Sequence, residues 1–92
     1  MFLKVARKVR FYGIVQGVNF RNKMARLAKM MGITGWVRNL DDGSVEAHLE
    51  GDQETIQSMI HRSCTEFFPA KVEKFTSEEA EAENSADFVV IR

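Results

Sequence analysis

Apolar and polar positions alternate over residues 4–15: Val5, Val9, Phe11 and Val15 fall on one parity, Lys8, Arg10 and Tyr12 on the other. Successive side chains of a strand point to opposite faces, so this period of two predicts a strand with one face buried. Gly13 interrupts the pattern and predicts a bulge or a close backbone approach. The period then changes. Phe20, Met24, Leu27, Ala28 and Met31 recur at helical spacing, with Lys23, Arg26 and Lys29 off the stripe. Residues 20–31 are therefore predicted to form an amphipathic helix, closed by Gly32. A second strand is expected over residues 33–39, around Ile33, Trp36 and Val37. Asp42-Gly43 then gives a hairpin signal before a third strand, in which Val45, Ala47 and Leu49 alternate with Glu46, His48 and Glu50. This puts His48 on the exposed parity.

Asp52 is the expected N-cap of a second helix. Its stripe is Ile56, Met59, Ile60, Cys64 and Phe67, and Pro69 is expected to end it. Val72 and Phe75 mark a fourth strand, the acidic stretch 78–87 reads as a solvated loop, and Phe88-Val89-Val90-Ile91 is a final short strand. The order is β-α-β-β-α-β with an extra strand. Two split βαβ units predict an α+β, ferredoxin-like sandwich, with two helices on one face of an antiparallel sheet. In that topology the first and second strands are parallel with the third between them. Their C-terminal ends then share one end of the sheet, where chemistry is to be sought.

Composition narrows the function classes. At 92 residues the chain is expected to be one domain, 1–92. No apolar run approaches the ~20 residues of a membrane span. The opening run is charged too early for a secretory leader. Cys64 is the single cysteine, which excludes an intrachain disulfide and fits a reducing, cytoplasmic setting. With only His48 and His61 beside it, no dedicated metal site is expected. Net charge is zero, yet residues 1–40 hold nine bases and no acid, and residues 41–92 hold four bases and thirteen acids. A +9 half facing a −9 half fits either mutual pairing or an anion-seeking first half.

The turn Val15-Gln16-Gly17-Val18-Asn19-Phe20 joins the first strand to the first helix. Free backbone N–H groups and the helix dipole would make it an anion cradle. Arg21, in the first helical turn, can close over the same anion bidentately. Asn39 ends the second strand two strand spacings away, about 10 Å. It can both donate and accept, and so could hold a water. On spacing alone, a tight turn with a surface arginine and a turn-forming asparagine are the simpler readings. Their convergence on one end of the sheet weakens both. His61 lies off its helix's apolar stripe, and neither histidine has a nucleophile near it in sequence. Trp36 and Gly35 read as packing residues, and Asp41 and Asp42 as a turn. A nucleic-acid sheet would need an RNP-type set of stacking aromatics, which is absent, so no nucleic-acid partner is expected.

Gly13-Ile14-Val15-Gln16-Gly17-Val18-Asn19-Phe20-Arg21 resembles the first signature of the acylphosphatases, and Gly35-Trp36-Val37-Arg38-Asn39-Leu40-Asp41-Asp42-Gly43-Ser44-Val45-Glu46 resembles their second, in family order and spacing. The resemblance implies an enzyme that hydrolyses acyl phosphates to carboxylate and inorganic phosphate without metal or cofactor. The chain is expected to act as a monomer. It implies a phosphate-binding loop of Val15, Gln16, Gly17, Val18, Asn19 and Phe20, with Arg21 as the phosphate-binding arginine. Asn39 is implied to orient the attacking water. Acetyl phosphate, carbamoyl phosphate and 1,3-bisphosphoglycerate are the substrates such a resemblance allows. The alternative is a non-catalytic, phosphate-binding module of the same family. One such module, the N-terminal domain of the carbamoyltransferase that helps mature hydrogenases, typically has Pro after the motif arginine; here Asn22 follows Arg21.

Overall fold

The computed structural model describes residues 4–92; residues 1–3 of the charged opening run lie outside it. The elements are β1 (Lys4–Ile14), α1 (Phe20–Met31), β2 (Thr34–Asn39), β3 (Val45–Asp52), α2 (Gln53–Thr65), β4 (Lys71–Glu79) and β5 (Phe88–Ile91). They form one five-stranded sheet in the order β4-β1-β3-β2-β5. β3 is antiparallel to both β1 and β2, so β1 and β2 run parallel on either side of it. β5 pairs in parallel with β2 and makes the sheet mixed. This is the expected ferredoxin-like sandwich with its extra strand. Among the described residues, no helix is long and apolar enough to cross a membrane.

The helices cover the inner face. Phe20, Met24, Leu27 and Ala28 of α1 and Ile56, Met59 and Ile60 of α2 are buried against Val9, Phe11, Val37, Val45, Ala47, Leu49 and Phe88. Gly32 ends α1 in the left-handed conformation (φ 72°), its N–H donating to the carbonyls of Ala28 and Lys29. Asp52 caps α2 by accepting from the Thr55 N–H at 3.1 Å. α2 ends at Thr65, before Phe67 and well short of Pro69. Cys64 is only half-buried, and burial pushes its thiol pKa up. The bulge expected at Gly13 appears as a register shift between Tyr12 and Gly13 in the β1–β4 pairing.

Two expectations are corrected on the outer face. His48 is buried, not exposed, and so are Glu46 and Glu50, although they alternate with the core residues of β3. Each sits in a rung whose neighbours roof it. Arg10, Glu46 and Arg38 share one rung, Lys8, His48 and Trp36 the next, and Ala6, Glu50 and Thr34 the third. Glu46 accepts from Arg10 Nε at 3.0 Å and from Arg38 Nη2 at 2.8 Å. Trp36 stacks on His48 with ring centres 5.8 Å apart.

Nor is the acidic stretch only a solvated loop. Glu78 and Glu79 belong to β4. Since β4 and β5 are opposite edges, the chain from 80 to 87 must traverse the sheet, and the helices occupy the inner face. It crosses the outer face as a strap. Eight extended residues reach about 27 Å, and four strand gaps span about 19 Å. The Glu50 carboxylate accepts the N–H groups of Glu83 at 2.6 Å and Asn84 at 3.1 Å, together with His48 Nε2 at 2.6 Å. Trp36 Nε1 donates to Glu83 at 3.1 Å.

Burial opposes ionisation of Glu46 and Glu50. The arginines at Glu46, and His48 with the strap amides at Glu50, outweigh it, so both carboxyls lie below their ordinary 4.5. The unfolded chain therefore binds these protons first on acidification. Their contribution to stability is complete above about pH 4.5 and is lost as the pH falls through the lower folded values. Urea unfolding at pH 6 and pH 3.5 should show this loss, and E46Q should flatten it.

Gly35 has φ 137°, and a Cβ there would lie 1.8 Å from the carbonyl oxygen of His48 in the adjacent strand. A Cβ on Gly32 would meet nothing within 4 Å. G32A should cost about 1 kcal/mol, from its backbone conformation alone. G35A should cost ~3 kcal/mol or more, because the sheet itself must part. At roughly 4–8 °C per kcal/mol for this size, thermal melts will separate the two variants.

Candidate active site

The C-terminal ends of β1 and β2 do meet at one end of the sheet, as do the connection from α2 to β4 and the end of β5. The loop leaving β1 is pinned by apolar side chains. Val15 and Phe20 are buried and Val18 packs against the core. Phe20 lies 5.3 Å from Phe11 and 5.1 Å, edge-on, from Phe67. Between these anchors Gly17 (φ 76°) and Asn19 (φ 65°) turn the chain through the left-handed region.

This geometry leaves donors free. Asn19 occupies the N-cap position of α1 but makes no capping hydrogen bond, and its side chain accepts from Asn22 Nδ2 at 2.7 Å instead. Among the described residues, the N–H groups of Gln16, Gly17, Val18 and Asn19 meet no protein acceptor. The first turn of α1 contains no acid. Uncapped helical N–H groups carry partial positive charge and favour an anion.

Gln16 does more than line the loop. Its Nε2 donates to the carbonyls of Leu40 at 2.8 Å and Ser44 at 2.9 Å, fastening the loop to the β2–β3 turn. That turn is held internally by Leu40 N–H to Ser44 O at 2.9 Å and by Asp42, which accepts from the Ser44 hydroxyl and, at 2.9 Å, from its N–H. These Ser44 donors hold the exposed Asp42 carboxyl below its usual range. Asn39 stands at the root of the turn, half-buried, and its Oδ1 is buried with no protein partner among the described residues. An unpaired buried carbonyl costs roughly 1–3 kcal/mol, so the atom calls for a donor from solvent or a ligand.

Arg21 is half-buried. Its Nη1 donates to the carbonyl of Ile91 at 3.2 Å, which leaves most of the guanidinium fork uncommitted. Among the described residues no carboxylate pairs with it, whereas Arg10 and Arg38 are bound to Glu46. All eight residues expected at the site thus lie at one end of the sheet. The Gln16 cross-link and the Ile91 carbonyl were not foreseen. Their only sequence signals were a long polar side chain inside a turn and an apolar run on the final strand. His48 and His61 take no part, and no group of three or more His, Cys, Asp or Glu among the described residues could hold a metal ion.

Q16L should cost ~1–2 kcal/mol by removing both cross-links, read as a lower thermal midpoint. Loosening of the turn beneath Asn39 should appear as faster amide exchange over residues 40–44.

Known proteins share this fold and sequence. The acylphosphatase family model matches residues 7–90. The chain is 40% identical over 85 residues to an acylphosphatase of Thermotoga maritima, covering 92% of this chain and 94% of that one. It is 53% identical over 57 residues to one of Thermococcus kodakarensis, covering 62% and 63% of the two chains. The solved acylphosphatase of Coxiella burnetii superposes with a TM-score of 0.90 at 32% identity, over 96% of this chain and 93% of that one.

Proposed function

The chain belongs to the acylphosphatase family, whose activity is hydrolysis of acyl phosphates, and we propose that its own hydrolysis runs through the loop, the arginine and the asparagine described above. The N–H groups of Gln16 to Phe20 hold the phosphoryl oxygens at the N-terminus of α1. Arg21 clamps two of those oxygens and stabilises charge as the transition state spreads it over them. Asn39 Oδ1 accepts one hydrogen of a water and aims its oxygen at phosphorus, in line with the leaving group. The new P–O bond forms as the bond to the acyl oxygen breaks. The carboxylate leaves with the electron pair, and the water's second proton passes to a phosphate oxygen. A carboxylate is a good leaving group, so no general acid is required.

The observation that carries this reading is the buried, unpartnered Asn39 Oδ1 on the same end of the sheet as the free loop amides. The reading extends to the whole chain, 1–92, acting as one cytoplasmic, monomeric domain on small acyl phosphates, with no cofactor, metal, nucleic acid or membrane partner.

Benzoyl phosphate hydrolysis in the presence of a chelator is the test. R21A and N39A should each retain the native circular dichroism spectrum and lose ~10²-fold or more in kcat. R21K should also be poor, because an ammonium cannot replace the planar fork. Near-wild-type turnover in either alanine variant would sink the assignment. Phosphate binding without turnover in the wild type would favour the non-catalytic module.

A further inference from the structure

Phe68 is the most exposed large apolar side chain among the described residues, at 87%. Leaving a phenylalanine in water forgoes the free energy of burying its ring. Its position is nonetheless tightly held. It lies in the connection from α2 to β4, and β4 begins where β1 ends, since Ile14 pairs with Lys71. The preceding residue, Phe67, is buried edge-on against Phe20, the first residue of α1. Lys23, in the next turn of the loop's own helix, donates from Nζ to the carbonyl of Phe68 at 2.7 Å. The Ala70 N–H closes the turn onto Phe67 O at 2.8 Å. The backbone of Phe68 is thus fastened to the helix that follows the phosphate loop, while its ring is presented outward. Ile14, 56% exposed, ends β1 beside this connection.

The strand order gives that ring a side. In β4-β1-β3-β2-β5 the loop leaves β1, Asn39 ends β2 on one side, and the Phe68 connection enters β4 on the other. In-line displacement places the attacking water and the leaving group on opposite sides of phosphorus. With the water at Asn39, the departing acyl group points toward β4, where Phe68 and Ile14 stand.

We infer that Phe68 is a specificity-determining residue: its ring, with Ile14 exposed at the neighbouring end of β1, is the apolar wall that receives the acyl half of the substrate and favours aromatic or bulky apolar acyl phosphates. This rests on the reading under Proposed function. The test is kcat/KM for benzoyl phosphate and for acetyl phosphate in the wild type, F68A and F68L. The benzoyl-to-acetyl ratio should fall about tenfold in F68A, the scale of a lost apolar pocket contact, and take an intermediate value in F68L. Thermal midpoints should not change. A ratio unaltered in F68A, or one that rises, overturns the inference while leaving the reaction assignment intact. No turnover of either substrate by folded wild type overturns both.

Discussion

The far end of this sheet is organised by a carboxylate with almost no access to water. Glu50 accepts from His48 and from two amides of the strap, and each of these bonds offsets part of the cost of burying its charge. The consequence reaches the other end. The strap is the route by which the chain passes from the β4 edge to the β2 edge, and only with it in place can the four residues of β5 pair with β2. β5 in turn brings the Ile91 carbonyl to Arg21. A buried anion on one end of the molecule thereby takes part in placing the guanidinium on the other.

The charge asymmetry of the two halves resolves into bases that are paired with carboxylates and bases that are not. Arg10 and Arg38 are paired with Glu46 across one rung of the sheet, as mutual pairing would have it. Arg21 is not paired with a carboxylate among the described residues, and it stands beside a helix start without acids. The same composition thus supplies the glue of the outer face and the positive potential of the site. Topology separates the two, because the Glu46 rung faces away from the helices while Arg21 is carried on α1.

Where local periodicity was strong, the fold could be read directly. The apolar stripe of α1, that of α2 as far as Cys64, the Asp52 cap, the Asp42-Gly43 hairpin and the Gly32 stop match the structure, because each depends on neighbours within a few residues; Phe67, counted with the α2 stripe, lies beyond the end of that helix. Alternation also located the inner face of β3. It misassigned the opposite parity, for the rule that polar positions face water assumes one uncovered face. Here Trp36, the flanking arginines and the strap supply a roof, and none of them is adjacent to His48 in the chain.

The site divides in the same way. Sequence by itself determined the loop from Val15 to Phe20, Arg21 at the start of its helix and Asn39 at the end of its strand, since each is set by a turn and the residues beside it. Tertiary structure alone decided that Gln16 ties the loop to residues 24 and 28 positions further on, that Ile91 meets Arg21 across 70 positions, and that Asn39 Oδ1 is enclosed without a protein partner among the described residues. These relations depend on which strands lie side by side, and hydrogen bonds between distant residues leave no period in the chain to read.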